Sequence, residues 1–314
     1  MVYLQLALGF VLLVTGGEAL VRGAVSLATR FGMSPLLIGL TLVGFGTSTP
    51  ELVTSLQAAF DGLPGIAVGN VVGSNLANIL LILGLAAAIA PMAVDPLAFR
   101  RDGTALAGAT LLAVGAVLVG SLDRWLGGML LVALAVYLVV AYRSDRISVA
   151  AAAPGGAPDV APLPGAVWLA LGFAVGGIAI TILGARLAVD AAVDLATLWG
   201  IGETVIGLTV VAVGTSLPEL VTSVMAALRR ESGLAFGNVV GSNIYNILGI
   251  LGVTALVRPI PVPPQIGQID IWVMAGATAA LIAVVLARRR IGRGTGLLFL
   301  AAYAGYTTWL VTGA

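Results

Sequence analysis

Apolar residues in this chain come in long unbroken runs, not in the alternation of a strand or the single stripe of a surface helix. Runs of about 20 residues or more, enough to span a bilayer, cover 3–28, 35–60, 65–90, 103–120, 125–142, 166–196, 204–228, 234–257, 269–287 and 296–312. They predict an all-α polytopic membrane protein with ten transmembrane helices. The first and sixth runs exceed what a bilayer requires, so those helices should tilt or bend. Both carry charge inside the run, Glu18 and Arg22 in one and Arg186, Asp190 and Asp194 in the other. Glu18 and Arg22 are spaced i,i+4, as are Arg186 and Asp190. Pairing within each helix is the expectation, with a contact at a gate as the alternative.

The polar positions that interrupt these runs are written twice. Residues 39–91 recur as 207–259 at a constant offset of 168, without a gap, and roughly three positions in five are identical. The first copy reads GLTLVGFGTSTPELVTS and then GNVVGSNLANILLILG, the second GLTVVAVGTSLPELVTS and then GNVVGSNIYNILGILG. Five spans, an odd number, separate the copies, so the second enters the membrane in the opposite sense to the first. That is an inverted repeat, a common construction among secondary transporters. The expected organisation is a first five-helix repeat at 1–142, a linker at 143–164 rich in Ala, Pro and Gly, and an inverted second repeat at 165–314. Under the same offset Glu18 aligns with Arg186 and Arg22 with Asp190, so the two charge pairs are sign-reversed copies.

Composition agrees with a membrane solvent: 60% of residues are hydrophobic and 9% charged, with a mean hydropathy of +1.11. All fifteen basic residues are arginine. Arg30, Arg100, Arg101, Arg143, Arg146, Arg229, Arg230, Arg288, Arg289, Arg290 and Arg293 follow odd-numbered runs, whereas Arg124 and Arg258 follow even-numbered ones. The positive-inside rule then predicts cytoplasmic odd loops, including the linker, and extracytoplasmic termini in the cell (inner) membrane. The absence of cysteine and histidine excludes disulfides, thiolate sites and imidazole chemistry.

In each copy a proline falls in the middle of a span, at Pro50 and Pro218. Proline cannot donate to the carbonyl four residues back, so the chain should kink or break there and free carbonyl oxygens beside Gly46 and Gly214. The partly negative C-terminal end of the preceding half-helix favours a cation at the break. Glu51 and Glu219 follow immediately. A carboxylate near mid-bilayer costs about 2.5–3.5 kcal/mol even on the lenient scale, so two of them imply a compensating ion or proton. Thr47 and Thr215 stand four residues before the glutamates. In the second motif Ser74 and Asn78, and again Ser242 and Asn246, share a helical face. Asn70, Asn75, Asn238 and Asn243 read as interhelical hydrogen-bonding residues, Asn78 and Asn246 as ligands. Two carboxylates, hydroxyls, amide oxygens and freed carbonyls, with no nitrogen or sulfur donor, suit hard cations such as Ca²⁺ and Na⁺.

On the pair GTSTPE and GTSLPE, with GSNLAN and GSNIYN, the chain resembles the Na⁺/Ca²⁺ exchangers of the cation/Ca²⁺ exchanger superfamily, in particular the ten-helix prokaryotic members, over essentially its whole length. The resemblance implies that Glu51 and Glu219 are shared Ca²⁺ and Na⁺ ligands. It adds Thr47, Ser48, Ser74, Thr215, Ser216, Ser242 and the backbone oxygens of Gly44 and Ala212, with Asn78 and Asn246 lining the centre. Some prokaryotic members have aspartate where this chain has Asn246. The amide leaves two formal negative charges in the site and favours a potassium-independent exchanger.

The function expected is secondary active antiport of Na⁺ and Ca²⁺ by alternating access, electrogenic, with both ions as substrates and no cofactor. A monomer working in the lipid bilayer, without nucleic acid, is the expected state. The alternative is a proton-coupled cation antiporter whose glutamates exchange protons instead of Na⁺. A passive channel differs from both in lacking counter-ion dependence. An intramembrane enzyme is disfavoured because no nucleophile with a recognisable base and no HExxH or GxSxG string is present.

Overall fold

In the computed structural model, residues 2–151, 163, 167–199, 212–263 and 266–313 are described. The chain is helical almost throughout. Helix α1 spans Val2–Phe31, α2 Pro35–Thr47, α3 Thr49–Phe60, α4 Pro64–Ile89, α5 Pro96–Val119 and α6 Arg124–Ala151. After the linker come α7 at Val167–Leu198, α8 Ala212–Thr215, α9 Leu217–Leu228, α10 Ser232–Val257, α11 Ile266–Arg288 and α12 Arg293–Gly313. Seven of the described helices are long and apolar enough to cross a membrane, or eight if the bent pair α2 and α3 is one span. With the short apolar α9 and the 21-residue α12, the elements stand where the ten apolar runs lie. The N-terminal part of the run at 204–228 lies outside the described residues. Helix α6 runs on to Ala151, so the start of the expected linker continues a helix; the rest, apart from Leu163, is outside the described residues.

Helices α1 and α7, of 30 and 32 residues, would each reach about 45 Å at 1.5 Å per residue, well beyond the hydrocarbon core. They pack antiparallel along a seam of small residues. Gly9 lies against Ala188, Gly16 against Thr181 and Gly23 against Ala174, while Gly177 meets Leu20 and Gly184 meets Leu13. One side steps forward by seven residues as the other steps back by seven, which keeps the small side chains on one face over the whole contact. Small residues let the backbones approach closely where apolar side chains gain little by leaving lipid.

The two halves meet about a pseudo-two-fold axis. Met92–Ala93 (β1) pairs with Arg290–Ile291 (β4), and Ser121–Leu122 (β2) with Ile260–Pro261 (β3), both antiparallel. The offset of 168 carries β1 onto β3, so each short ribbon is close to a copy of the other. Thr110 and Thr278, equivalent under that offset, hydrogen-bond to each other at 3.4 Å, which places them on the axis. Elements related by the duplication thus meet one another or make matching contacts in the packing.

Candidate functional site

The first motif sits at a break in the chain. Ser48 leaves helical geometry (φ −81°, ψ 9°) between α2 and α3, which are bent by 43°. Pro50 and Glu51 occupy the first turn of α3. The second copy repeats the arrangement, with Ser216 (φ −89°, ψ 9°) between α8 and α9 and Pro218 and Glu219 in the first turn of α9. The prolines that cannot extend the preceding helix are well suited to begin a new one. The positive end of that new helix dipole favours the carboxylate placed there.

Glu51 and Glu219 are 1% and 0% exposed. Each reaches across to the other repeat: Ser216 Oγ donates to Glu51 Oε1 at 3.1 Å and Ser48 Oγ to Glu219 Oε1 at 2.8 Å. The second oxygen of each carboxylate, Oε2, is buried without a hydrogen-bond partner. Ion pairs join Glu18 with Arg22, Glu18 with Arg229, and Arg101 with Asp102; neither Glu51 nor Glu219 takes part in them. The described residues also contain no cluster of three or more His, Cys, Asp or Glu.

Helices α4 and α10 bring the second motif to the same place. Asn70 Nδ2 donates to the Glu51 carbonyl (3.1 Å) and Ser55 Oγ (2.9 Å), and Asn238 does the same to the Glu219 carbonyl (3.2 Å) and Ser223 Oγ (2.8 Å). These two asparagines therefore make the interhelical bonds expected of them, and they fix the turn that carries each glutamate. Asn75 does not: both ends of its buried amide lack a partner. Asn78 Nδ2 contacts Asn243 Oδ1 at 3.5 Å, whereas Asn78 Oδ1 and both polar atoms of Asn246 are unpartnered. Buried amides and carboxylates are ordinarily satisfied, so unpaired oxygens from both motifs of both copies point to a shared need for a cationic partner.

The hydroxyls and carbonyls named from the sequence are placed as follows. Thr47, Ser48, Ser74, Ser216 and Ser242 are buried. The Thr47 hydroxyl is shared between the Val43 carbonyl (3.0 Å) and Asn238 Oδ1 (3.3 Å). The Gly44 carbonyl accepts from Ser48 N–H at 3.2 Å and from Ser242 Oγ at 3.3 Å. Ala212 and Thr215 bound α8, directly before the second break. Two features escaped the sequence reading. Ser55 and Ser223 hold the asparagine braces, although their place in the duplicated ELVTS was a signal. Thr222, next to Ser223, buries an unpartnered hydroxyl. Helical turns widened by one residue occur at Gly39–Val43, Ala77–Ile82 and Asn246–Leu251. The last two begin at or just before the motif asparagines, and such turns are frequent at functional sites.

A cleft of about 230 Å³ leads toward both breaks, lined by Thr49, Pro50 and Val53 on one side and Ala185, Arg186 and Asp190 on the other, with Gly214 and Thr215 at its edge. Arg186 and Asp190 are exposed here and form no ion pair with each other, contrary to the i,i+4 expectation. Glu18 and Arg22 do pair, at 2.7 Å.

A family model described as sodium/calcium exchanger protein matches residues 1–143 and 168–312. The chain is 38% identical to the putative antiporter CaxA of Alkalimonas amylolytica, with 95% of each chain covered. It is 33% identical to the sodium/calcium exchanger MaX1 of Methanosarcina acetivorans, with 97% of each covered. Its structure superposes on that of the sodium-calcium exchanger NCX_Mj with a TM-score of 0.84 at 31% identity, covering 98% of this chain and 97% of the other. The chain belongs to the sodium/calcium exchanger family.

Proposed function

We propose that this protein is a secondary active antiporter that exchanges Na⁺ for Ca²⁺ across the cell membrane by alternating access, electrogenically and without K⁺. The observation that carries the reading is the pair of equivalent buried glutamates. Each is bonded through one oxygen to a serine of the other repeat, each has its second oxygen unpartnered, and neither is paired with a cationic side chain. A charge held in such a place needs an ion for company. The names of MaX1 and NCX_Mj, both sodium/calcium exchangers, agree with Na⁺ and Ca²⁺ as those ions.

In this reading Glu51, Glu219, Asn78 and Asn246 supply side-chain oxygens, with Thr47, Ser48, Ser74, Thr215, Ser216 and Ser242 and the carbonyls of Gly44 and Ala212 around them. Ca²⁺ takes about 6–8 oxygens, a number this set provides. One Ca²⁺ neutralises both carboxylates. Two or three Na⁺ do so by occupying overlapping parts of the same set, so the ions compete. The loaded site is neutral enough to pass between the two access states, while the empty one retains two uncompensated carboxylates in an apolar surround and resists the transition. That resistance makes exchange obligatory. The long antiparallel helices α1 and α7, joined along their glycine seam, are the unit that moves against the rest. With residues 1–142 and 165–314 as the inverted repeats and the arginine-rich loops in the cytoplasm, the cleft beside Arg186 opens to the outside.

The test is labelled Ca²⁺ uptake into liposomes containing the protein, with Na⁺ loaded inside and K⁺ omitted. Uptake that disappears when Na⁺ is equal on both sides supports the assignment. Uptake that ignores Na⁺ and follows a pH gradient would replace it with proton-coupled antiport.

A further inference from the structure

Three charges meet where α1 crosses the end of α9. Glu18 accepts from Arg22 one turn along its own helix at 2.7 Å and from Arg229 at 2.5 and 3.0 Å. Around them the contact is tight. A methyl group on Gly17 would stand 2.8 Å from Val221 and 3.3 Å from Met225, and Leu217 and Val221 pack against the cluster of Leu13 with Ala185 and Ala188. This face of the site is sealed.

The offset of 168 carries Glu18, Arg22 and Arg229 onto Arg186, Asp190 and Asp61. Every sign is reversed, so every attraction is kept. Asp61 and Arg229 occupy the same place in the same turn: each ends its helix and is followed by a left-handed residue, Gly62 (φ 74°) or Arg230 (φ 60°). The second triad is not assembled here. The Asp61 carboxylate accepts from Gln57 of its own helix, 3.0 Å to each oxygen, while Arg186 and Asp190 stand on the wall of the cleft. Facing them are Thr49, Pro50 and Val53, the equivalents of Leu217, Pro218 and Val221. On the sealed side Val221 lies against Gly17 of α1, and Leu217 packs against the cluster of Leu13, Ala185 and Ala188. The cleft is therefore the open version of the sealed contact.

We propose that Asp61 and Arg186, braced by Asp190, form a charge latch that closes this cleft in the opposite access state, as the Glu18–Arg229 latch releases. The latch rests on the antiport reading above, because a device of this kind has a purpose where two faces open in turn. Three independent sign changes would ordinarily destroy a duplicated contact; made together, they preserve it. Arg258, which donates to the Phe60 carbonyl next to Asp61, stands at the same corner.

The chain has no cysteine, so pairs can be introduced without background. In the protein in liposomes, with a reducible bifunctional methanethiosulfonate reagent long enough to span an arginine–carboxylate pair present during turnover, because two cysteine side chains alone would not reach each other there, Asp61→Cys/Arg186→Cys should cross-link and stop transport until reduced. Glu18→Cys/Arg229→Cys should cross-link as well, and with all four substitutions no molecule should carry both bridges. A 61/186 pair that stays unlinked while 18/229 cross-links, or molecules with both bridges, would overturn the latch. Gel mobility reports the bridge whichever ions are carried, so failure of the Na⁺/Ca²⁺ assignment is read separately. In addition, Asp61→Asn should raise thiol labelling of Val53→Cys in the cleft by up to about fivefold, the size expected of one partly exposed ion pair. Replacing the second triad by the charges of the first, Asp61→Arg/Arg186→Glu/Asp190→Arg, should bring labelling back. Labelling indifferent to both changes would count against the latch.

Discussion

Glu51 and Glu219 differ from Glu18 and Asp102 in having no basic partner. Asp102 is as buried, yet Arg101 holds both its oxygens at 2.6 and 2.8 Å and Tyr137 adds a third bond; that cluster is already neutral. Glu51→Gln or Glu219→Gln should therefore cut Ca²⁺ transport at low Ca²⁺ by about tenfold or more, since ligand charge sets affinity in oxygen sites. Asp102→Asn should instead lower stability and leave ion dependence intact, which thermal unfolding beside uptake would separate. Asn246→Asp adds a third carboxylate beside unpartnered oxygens. It should change the ion selectivity or the pH dependence of Ca²⁺ uptake, because a third carboxylate must be neutralised before the site turns over; an unchanged profile would place Asn246 outside the ion site. The glutamates were legible because a carboxylate in an apolar run is costly wherever it occurs, and this one occurs twice. The role of Asn75 was not, because whether an amide is interhelical glue depends on a neighbour from another helix. Asn70 finds such a neighbour in Ser55, and Asn75 finds none.

At the level of elements, proline left a mark that sequence carries plainly. Pro50 and Pro218 predict breaks, and the chain turns at Ser48 and Ser216, one on either side of the axis. The widened turns at Ala77–Ile82 and Asn246–Leu251 were not legible, since one added residue per turn alters neither composition nor hydrophobic period. The α1–α7 seam falls between these cases: its glycines are visible, but their antiparallel register appears only on packing. At Gly23 an added side chain would run into the backbone of Ala174 and Ala170, whereas at Gly108 it would meet open space. Gly23→Leu should thus destabilise by about 1–3 kcal/mol or more through overpacking and abolish transport. Gly108→Leu should change stability by less than about 0.5 kcal/mol. Equal thermal midpoints for the two variants would show that the α1–α7 seam is not tightly packed at Gly23.

For the whole molecule, the duplication predicts contacts that join, or are copied between, elements related by the 168 offset, and the β1–β4 and β2–β3 ribbons and the Thr110–Thr278 contact are of that kind. Long-range charge pairing was beyond reach of local spacing. The i,i+4 pattern found Arg22 for Glu18, yet Arg229, 211 residues away, bonds the same carboxylate, while Arg186 and Asp190 face a cleft instead of each other. If three Na⁺ move per Ca²⁺, one net charge crosses per cycle, and about 2.3 kcal/mol per 100 mV couples exchange to the membrane potential. Imposing an inside-negative potential should then slow Na⁺-driven Ca²⁺ uptake, and an inside-positive one should speed it; insensitivity would mean an electroneutral ratio.

The central claim is that one pair of carboxylates serves both ions, and competition tests it most directly. Ca²⁺ binding to the purified protein would be titrated calorimetrically at rising Na⁺ with ionic strength held constant by a large organic cation. The account predicts that the apparent Kd for Ca²⁺ climbs with Na⁺ more steeply than in direct proportion, because more than one Na⁺ must leave for each Ca²⁺ that binds. It also predicts that Glu51→Gln and Glu219→Gln each weaken both ions. A Ca²⁺ affinity unmoved by Na⁺, or a variant that loses one ion while keeping the other at full strength, would contradict the shared site.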